Sequence, residues 1–260
     1  MTPAVPAGFD LALVRAANPG PLTLSGTNSW VVGREPAWIV DPGPALDAHL
    51  DALAEESATR GGVGGIALTH GHADHADGLS GLLERVGTGV AVGSACSRGR
   101  TLADGDSFGP LEVIELPGHA PGHLGFLWSA AGGTACFTGD AVLGAGSVFV
   151  SSDMGGYLRG LTRVRQLRPS VLCPGHGPVV TDPDAHVAAY LAHRLQRERR
   201  LVAALEAGVS GEDALLAAAW SEVPVSLREP ARLTLRAHLD KLRSERRLPA
   251  SPRSRSCETG

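Results

Sequence analysis

Short apolar runs closed by glycine, proline or a carboxylate recur along the chain as far as residue 182, and longer stretches of mixed apolar and charged positions follow. Asn28–Val32, Ala37–Asp41, Ile66–Leu68, Val90–Val92, Leu111–Glu115, Ala135–Asp140 and the run from Val171 to Cys173 read as strands, too short and too apolar for surface helices. Ala45–Thr59 and Gly155–Leu167 read as helices. Glycine and proline mark the joins: the 34 glycines are scattered through loops such as 61–65 and 144–146 and form no low-complexity block. No internal repeat of fixed period is visible, and periodicity alone predicts an α/β fold. After Asp182-Pro183 the texture becomes helical and basic, with candidate helices over Asp184–Ala207, Gly211–Trp220 and Glu229–Arg246. The expected division is a main α/β domain over 1–182, a helical appendage over 183–248, and a disordered Ser-, Pro- and Arg-rich tail over 249–260.

Composition narrows the class. At 260 residues and 43% hydrophobic content the chain can bury a large core. The net charge of −4 hides an asymmetry, because residues 190–260 hold 13 Lys/Arg against 9 Asp/Glu. One reading is a solvated helical face, since Arg194, Arg197, Arg199 and Arg200 surround Glu198 in a pattern typical of exposed helices. The other is a winged-helix-like appendage that guides nucleic acid. The first is preferred, because so modest an excess falls short of the basic footprint of a dedicated nucleic-acid binder. Cys96, Cys136, Cys173 and Cys257 make neither a Cys-x-x-Cys pair nor a secreted-type framework, and Cys136 and Cys173 sit in apolar strands as small hydrophobes. Met1–Gly8 lacks a signal-peptide pattern, and no run is long and apolar enough to span a membrane. A cytoplasmic enzyme is the expectation.

The chemistry concentrates in Thr69-His70-Gly71-His72-Ala73-Asp74-His75, where three imidazoles and a carboxylate fall close together. Buried side by side and partly protonated, they would repel one another; a divalent cation removes the conflict. The preceding Gly65–Leu68 reads as a buried strand, so the cluster occupies a strand-to-helix loop. Residues two apart in extended chain point the same way, so His70 and His72 can share one ion, while Asp74 and His75, turning into a helix, aim elsewhere. Two adjacent metal sites follow. Imidazole and carboxylate without thiolate suit zinc best, with manganese or iron as alternatives. Two ions need more donors, and other strand ends supply His119 in Leu116–His123, Asp140 after Ala135–Gly139, and His176 in Pro174–Pro178.

In this order His-x-His-x-Asp-His, Pro-Gly-His-x-Pro-Gly-His, Thr-Gly-Asp and Pro-Gly-His-Gly-Pro resemble the metallo-β-lactamase fold superfamily of hydrolases. The resemblance implies a four-layer αβ/βα sandwich with two metals at the edge between its sheets. It assigns His70, His72 and His119 to the first zinc, Asp74, His75 and His176 to the second, and Asp140 to both. His123 falls outside that ligand pattern and is expected in the pocket or behind the ligands. The implied nucleophile is a metal-bridging hydroxide, formed between ions about 3.5–4 Å apart and oriented by Asp74 or Asp140, with no serine or cysteine nucleophile. Exported lactamases of the superfamily differ at the Asp140 position, which looks like the glyoxalase, thioesterase and nuclease branches.

The stretches Asn18–Asn28, Gly139–Gly144 and Pro174–Pro178 continuing to Tyr190–Arg194 resemble the subfamily that includes a mammalian mitochondrial lactamase-like endoribonuclease and fungal polyketide thioesterases. Two substrate classes follow, close to even: a phosphodiester in single-stranded RNA, placed first, and a thioester or ester of a small molecule. RNA requires cations in the cleft, with Arg159, Arg194 and Arg197 as candidates. The thioester reading requires an apolar pocket, with Trp30, Phe149 and Tyr157 as candidates. His193 is expected in a structural or lid role. The glycine link 61–65 and Ser151–Asp153 depart from the subfamily and are expected to reshape the pocket entrance. A β-lactamase activity or a non-catalytic binding role ranks below these.

Overall fold

The computed structural model describes residues 5–95 and 99–248. The expected tail at 249–260, Cys96 and Cys257 lie outside the described residues. The first half runs β1 (Leu11–Arg15), β2 (Asn28–Val32), β3 (Ala37–Val40), α1 (Asp47–Ala58), β4 (Val63–Ala67), α2 (Ala73–Ala76), α3 (Leu79–Val86), β5 (Ala91–Ser94) and β6 (Arg100–Thr101). It continues through β7 (Ser107–Phe108), β8 (Leu111–Glu115), β9 (Leu124–Ala130), β10 (Gly133–Gly139), α4 (Met154–Leu167) and β11 (Val171–Pro174). Helices α5 (Pro183–Glu206) and α6 (Glu212–Ala219), a 3-10 turn (Val225–Leu227) and α7 (Arg228–Ser244) close it.

Strands β1 to β6 form one sheet in sequence order, antiparallel through β3 and parallel from there on. The second sheet runs β11-β10-β9-β8-β7, with only the β10–β11 pair parallel. Period-two alternation divides each strand between two cores. Trp30, Val32 and Val40 meet Val113, Phe126 and Phe137 of the other sheet, while Val31, Ile39 and Ile66 face Leu50 and Leu53 of α1 and Leu79 and Leu82 of α3. Ile114, Leu127, Cys136 and Leu172 turn outward onto Tyr157, Leu161 and Val164 of α4 and Val187 and Tyr190 of α5. The layers are therefore helix, sheet, sheet, helix, as the resemblance implies. Because both faces of the strands are covered, they read as unbroken apolar runs.

The helices carry local start signals. Asp153 accepts the Gly156 N–H at 2.7 Å to cap α4, and Asp182 accepts the Ala185 N–H at 3.2 Å to cap α5, whose first residue is Pro183. The 24-residue α5 spans two cores: its first half packs on the second sheet, and Leu201 and Ala204 join Leu215 and Leu216 of α6 and Leu235 and Leu242 of α7. Ala237 of α7 reaches back into the outer core of the second sheet, so the helical region is seated directly on the α/β layers. Among the described residues no strand follows β11, and no helix is long and apolar enough to cross a membrane.

Candidate metal centre

Four strand ends meet at one edge of the sandwich. The loop leaving β4 carries His70 and His72 and runs into α2, which carries Asp74 and His75; the loops after β8, β10 and β11 carry His119, Asp140 and His176. Backbone bonds tie the loops together: Leu124 N–H to Thr69 O at 2.7 Å, Gly175 N–H to Gly139 O at 2.9 Å and Asn28 N–H to Gly175 O at 2.7 Å. The crossing is so close that a Cβ at Gly175 would lie 2.6 Å from both Asp140 Oδ1 and His75 Cε1. Only glycine fits there.

All seven sequence-predicted donors converge. His72 Nδ1 lies 3.0 Å from both His70 Nε2 and His119 Nε2, which defines one trio. His176 Nε2 lies 3.2 Å from His75 Nε2 and 3.2 Å from Asp74 Oδ2, which defines a second. Asp140 stands between them, with Oδ1 3.4 Å from His75 Nε2 and Oδ2 3.6 Å from His119 Nε2 and 3.4 Å from His176 Nε2. Its Oδ1 is buried and has no hydrogen-bond partner.

Hydrogen bonds on the far side of each ring select which nitrogen faces inward. Asp41 accepts from Thr69 N–H and Thr69 Oγ1–H, both at 2.7 Å, so that hydroxyl is left to accept from His70 Nδ1 at 2.9 Å. His75 Nδ1 meets Asp41 Oδ2 at 2.8 Å, His119 Nδ1 meets Phe149 O at 3.0 Å and His176 Nδ1 meets Gly26 O at 3.4 Å. With those Nδ1 protons committed outward, the Nε2 lone pairs of four rings point at one another, and His72 adds Nδ1 from the rim. Lone pairs facing each other at 3.0–3.2 Å beside a buried carboxylate suit a shared cation. The donor chemistry fits divalent metal.

Electrostatics agree. Burial, then the charges of His75 and His123, hold His70 far below the ordinary imidazole range, and burial also lowers His119. Burial opposes charge on His75 and His176 as well, yet Asp140 with Asp41 raises His75, and Asp140 with Asp74 raises His176 to about 9. Burial likewise opposes charge on Asp140, but His75 and His176 draw its carboxyl well below the usual range. The carboxylates therefore hold positive charge in this pocket, which is what a divalent ion supplies more compactly than protons do.

The comparisons with known proteins now decide the family. Residues 22–95 and 92–176 match the Metallo-beta-lactamase superfamily. The chain belongs to the metallo-beta-lactamase superfamily. It is similar to an atrochrysone carboxyl ACP thioesterase of Aspergillus chevalieri, 33% identical over 202 residues covering 74% of this chain and 64% of that protein. A beta-lactamase-like protein 2 homolog of Caenorhabditis elegans is 32% identical over 208 residues, covering 73% of this chain and 68% of that one. The alignments with the first fungal relatives thus span 63–64% of those proteins' length. A metallo-beta-lactamase family protein from Thermus thermophilus superposes with a TM-score of 0.73 at 25% identity, over 90% of this chain and 93% of that one. Superfamily membership and the clustered donors mark this edge of the sandwich as a candidate metal centre.

In this superfamily member the donors floor a cleft of about 420 Å3. His72, Asp74, His119, Asp140 and His176 line it together with Leu22, Leu24, Leu143, Val148, Phe149, Leu227 and Leu233, and among the described residues no lysine or arginine does. Of the segments expected to shape the entrance, only Ser151 lies on the cleft wall; Asp153 caps α4, and the 61–65 link packs on Glu35 and Trp38 away from the cleft. The arginine candidates are engaged elsewhere: Arg194 is buried against Ser147 Oγ, the Val148 carbonyl and the Tyr157 ring, Arg197 pairs with Glu222 and the Ala219 carbonyl, and exposed Arg159 lies 3.7 Å from Asp153. Of the aromatic candidates Phe149 lines the cleft, whereas Trp30 and Tyr157 belong to the core. His123 sits behind the donors and accepts the Asp140 N–H at 3.1 Å; His193 rests 3.4 Å from Ser147 Oγ and 3.3 Å from the Arg197 guanidinium. Sequence reasoning missed Asp41. Its signal is a carboxylate closing a strand ahead of Pro42-Gly43, but its partner His75 is 34 positions away.

Proposed function

We propose that the protein is a dinuclear, zinc-dependent hydrolase of small-molecule thioesters or esters. The observation that carries this reading is the wall of the cleft: a polyanion would need cations beside the metals, and beyond the donors the described lining is mostly aliphatic, with Phe149 and the uncharged Ser147 and Ser151. RNA, placed first on sequence grounds, loses that place because Arg194 and Arg197 are spent inside the fold. The names of fungal relatives as thioesterases point the same way.

His70, His72 and His119 would hold one ion, Asp74, His75 and His176 the other, and Asp140 both. When bound, such an ion pair supplies Lewis acidity for the carbonyl oxygen and a water acidic enough to ionise near neutral pH. Asp74 and Asp140 face the cleft, where their carboxylates would accept hydrogen bonds from a nucleophilic water and so orient it. His123 fixes the Asp140 backbone, so the carboxylate keeps its aim. In the overall reaction the water oxygen bonds to the carbonyl carbon, the carbon–sulfur bond breaks, and the thiolate leaves and takes up a proton. Once an acyl group covers them, the aliphatic walls would keep bulk water from the donors and strengthen each of these electrostatic contacts. The free, buried thiols of Cys136 and Cys173 suit a reducing cytoplasm.

The test is turnover of an acyl thioester and cleavage of a labelled single-stranded RNA by zinc-reconstituted protein, each beside Asp140→Asn. Thioester hydrolysis that falls by at least about 100-fold in the variant is expected. RNA cleavage without thioester turnover, abolished in the same variant, would overturn the substrate assignment.

A further inference from the structure

The cleft continues past the donors along a surface with no catalytic purpose of its own. Leu22 and Leu24 come from the loop after β1, Val148 and Phe149 from the segment ahead of α4, and Leu227 and Leu233 from the 3-10 turn and α7. Leu22 remains 54% and Leu233 43% exposed, on opposite segments of one mouth. Contiguous apolar surface open to water marks a binding site. Here it is continuous with Asp74, Asp140 and His176, so a substrate that reaches the donors lies along it. A volume of about 420 Å3 also exceeds what a two-carbon acyl group fills.

We propose that α7 and the Leu22–Leu24 loop form the acyl-binding wall, so that the substrate carries a medium-length or bulky apolar acyl group with no charge remote from the thioester. Leu233 is the specificity-determining residue. The inference rests on the thioesterase reading and adds to it the acyl class and the element that selects it. Each methylene that leaves water for this wall raises kcat/KM by about two- to fourfold, mainly through KM, because the contact is alike in ground state and transition state.

The experiment measures kcat/KM of the metal-loaded full chain on acetyl, butyryl, hexanoyl and octanoyl thioesters of N-acetylcysteamine. It compares wild type with Leu233→Asp and with Leu195→Asp, an exposed leucine on α5 outside the cleft. Wild type should climb along the series. Leu233→Asp should lower the octanoyl-to-acetyl ratio by about tenfold, and Leu195→Asp should leave the ratio in place. A flat wild-type series, or a ratio that Leu233→Asp does not move, would overturn the wall while leaving the thioesterase reading intact. Non-hydrolysable alkyl thioether analogues separate the two failures. If no thioester is turned over, tighter binding of the octyl than the ethyl thioether, lost in Leu233→Asp, upholds the wall and rejects only the reaction; equal binding rejects both.

Discussion

Asp41 shows how a residue outside the ligand motifs governs them. Its backbone is left-handed, with φ of 56°, and its carboxylate accepts from Thr69 twice and from His75, which fixes two donor rings at once. Asp41→Asn keeps the side-chain shape and tolerates that φ, but sets an amide N–H against a donor and removes the charge. Metal affinity should drop by roughly 10–100-fold with the fold retained, measured by competition with a chromophoric chelator; unchanged affinity would exclude the positioning role. The seven donors were legible because glycine-flanked histidines and carboxylates at strand ends announce themselves locally. Asp41 was not, because its meaning depends on a tertiary contact. His49 offers a prediction in pH. Buried and 2.9 Å from Ser29 Oγ, its pKa falls to about 4, chiefly through burial. The unfolded chain binds that proton first, near pH 6.5, so the contribution of His49 to stability is full above that pH and is lost as pH falls towards 4. His49→Asn should flatten the fall in denaturation midpoint across that window relative to wild type.

Among the elements, the segment from Ser147 to Ser151 has the most consequence. Arg194 holds Ser147 Oγ, Thr234 Oγ1 of α7 accepts the Val150 N–H at 3.0 Å, Phe149 O orients His119, and Ser151 Oγ donates to His119 O at 2.7 Å. Helix α7 thereby reaches a metal donor through one strap. Thr234→Val leaves the buried Val150 N–H unpaired, at a cost of about 1–3 kcal/mol, and should weaken metal binding as His119 loses its brace. Chemical denaturation with a parallel metal titration checks both. A stability loss without any change in metal affinity would confine the strap to a structural role. Strands β2, β3, β4 and β8 and the long helices were readable within a residue or two, since apolar runs and start signals define them. Strands β1 and β9 and the two-residue β6 and β7 were not read from the sequence; β6 and β7 are too short to leave a period in the chain.

Across the whole molecule, the basic C-terminal region finds its explanation in packing. Glu198 is buried against Lys241 and Arg247, Arg197 lies over Trp220, and Arg236 pairs with Glu212. Those cations tie helices together, which corrects the solvated face read from the sequence: Arg194, Arg197 and Glu198 are buried between the helices and the strap ahead of α4. What the sequence left open was the cleft. Its walls come from residues 21–24, 143–151 and 227–233, three segments joined only by the fold, so no local pattern could distinguish an aliphatic pocket from a phosphate-lined groove.

The most direct measurement is elemental analysis of the protein after zinc reconstitution and removal of loosely held metal, on wild type and His72→Ala. Two zinc ions per wild-type chain and about one in the variant are predicted, because His72 serves one trio alone. A single ion in wild type, or two retained in the variant, would contradict a dinuclear centre built from these donors.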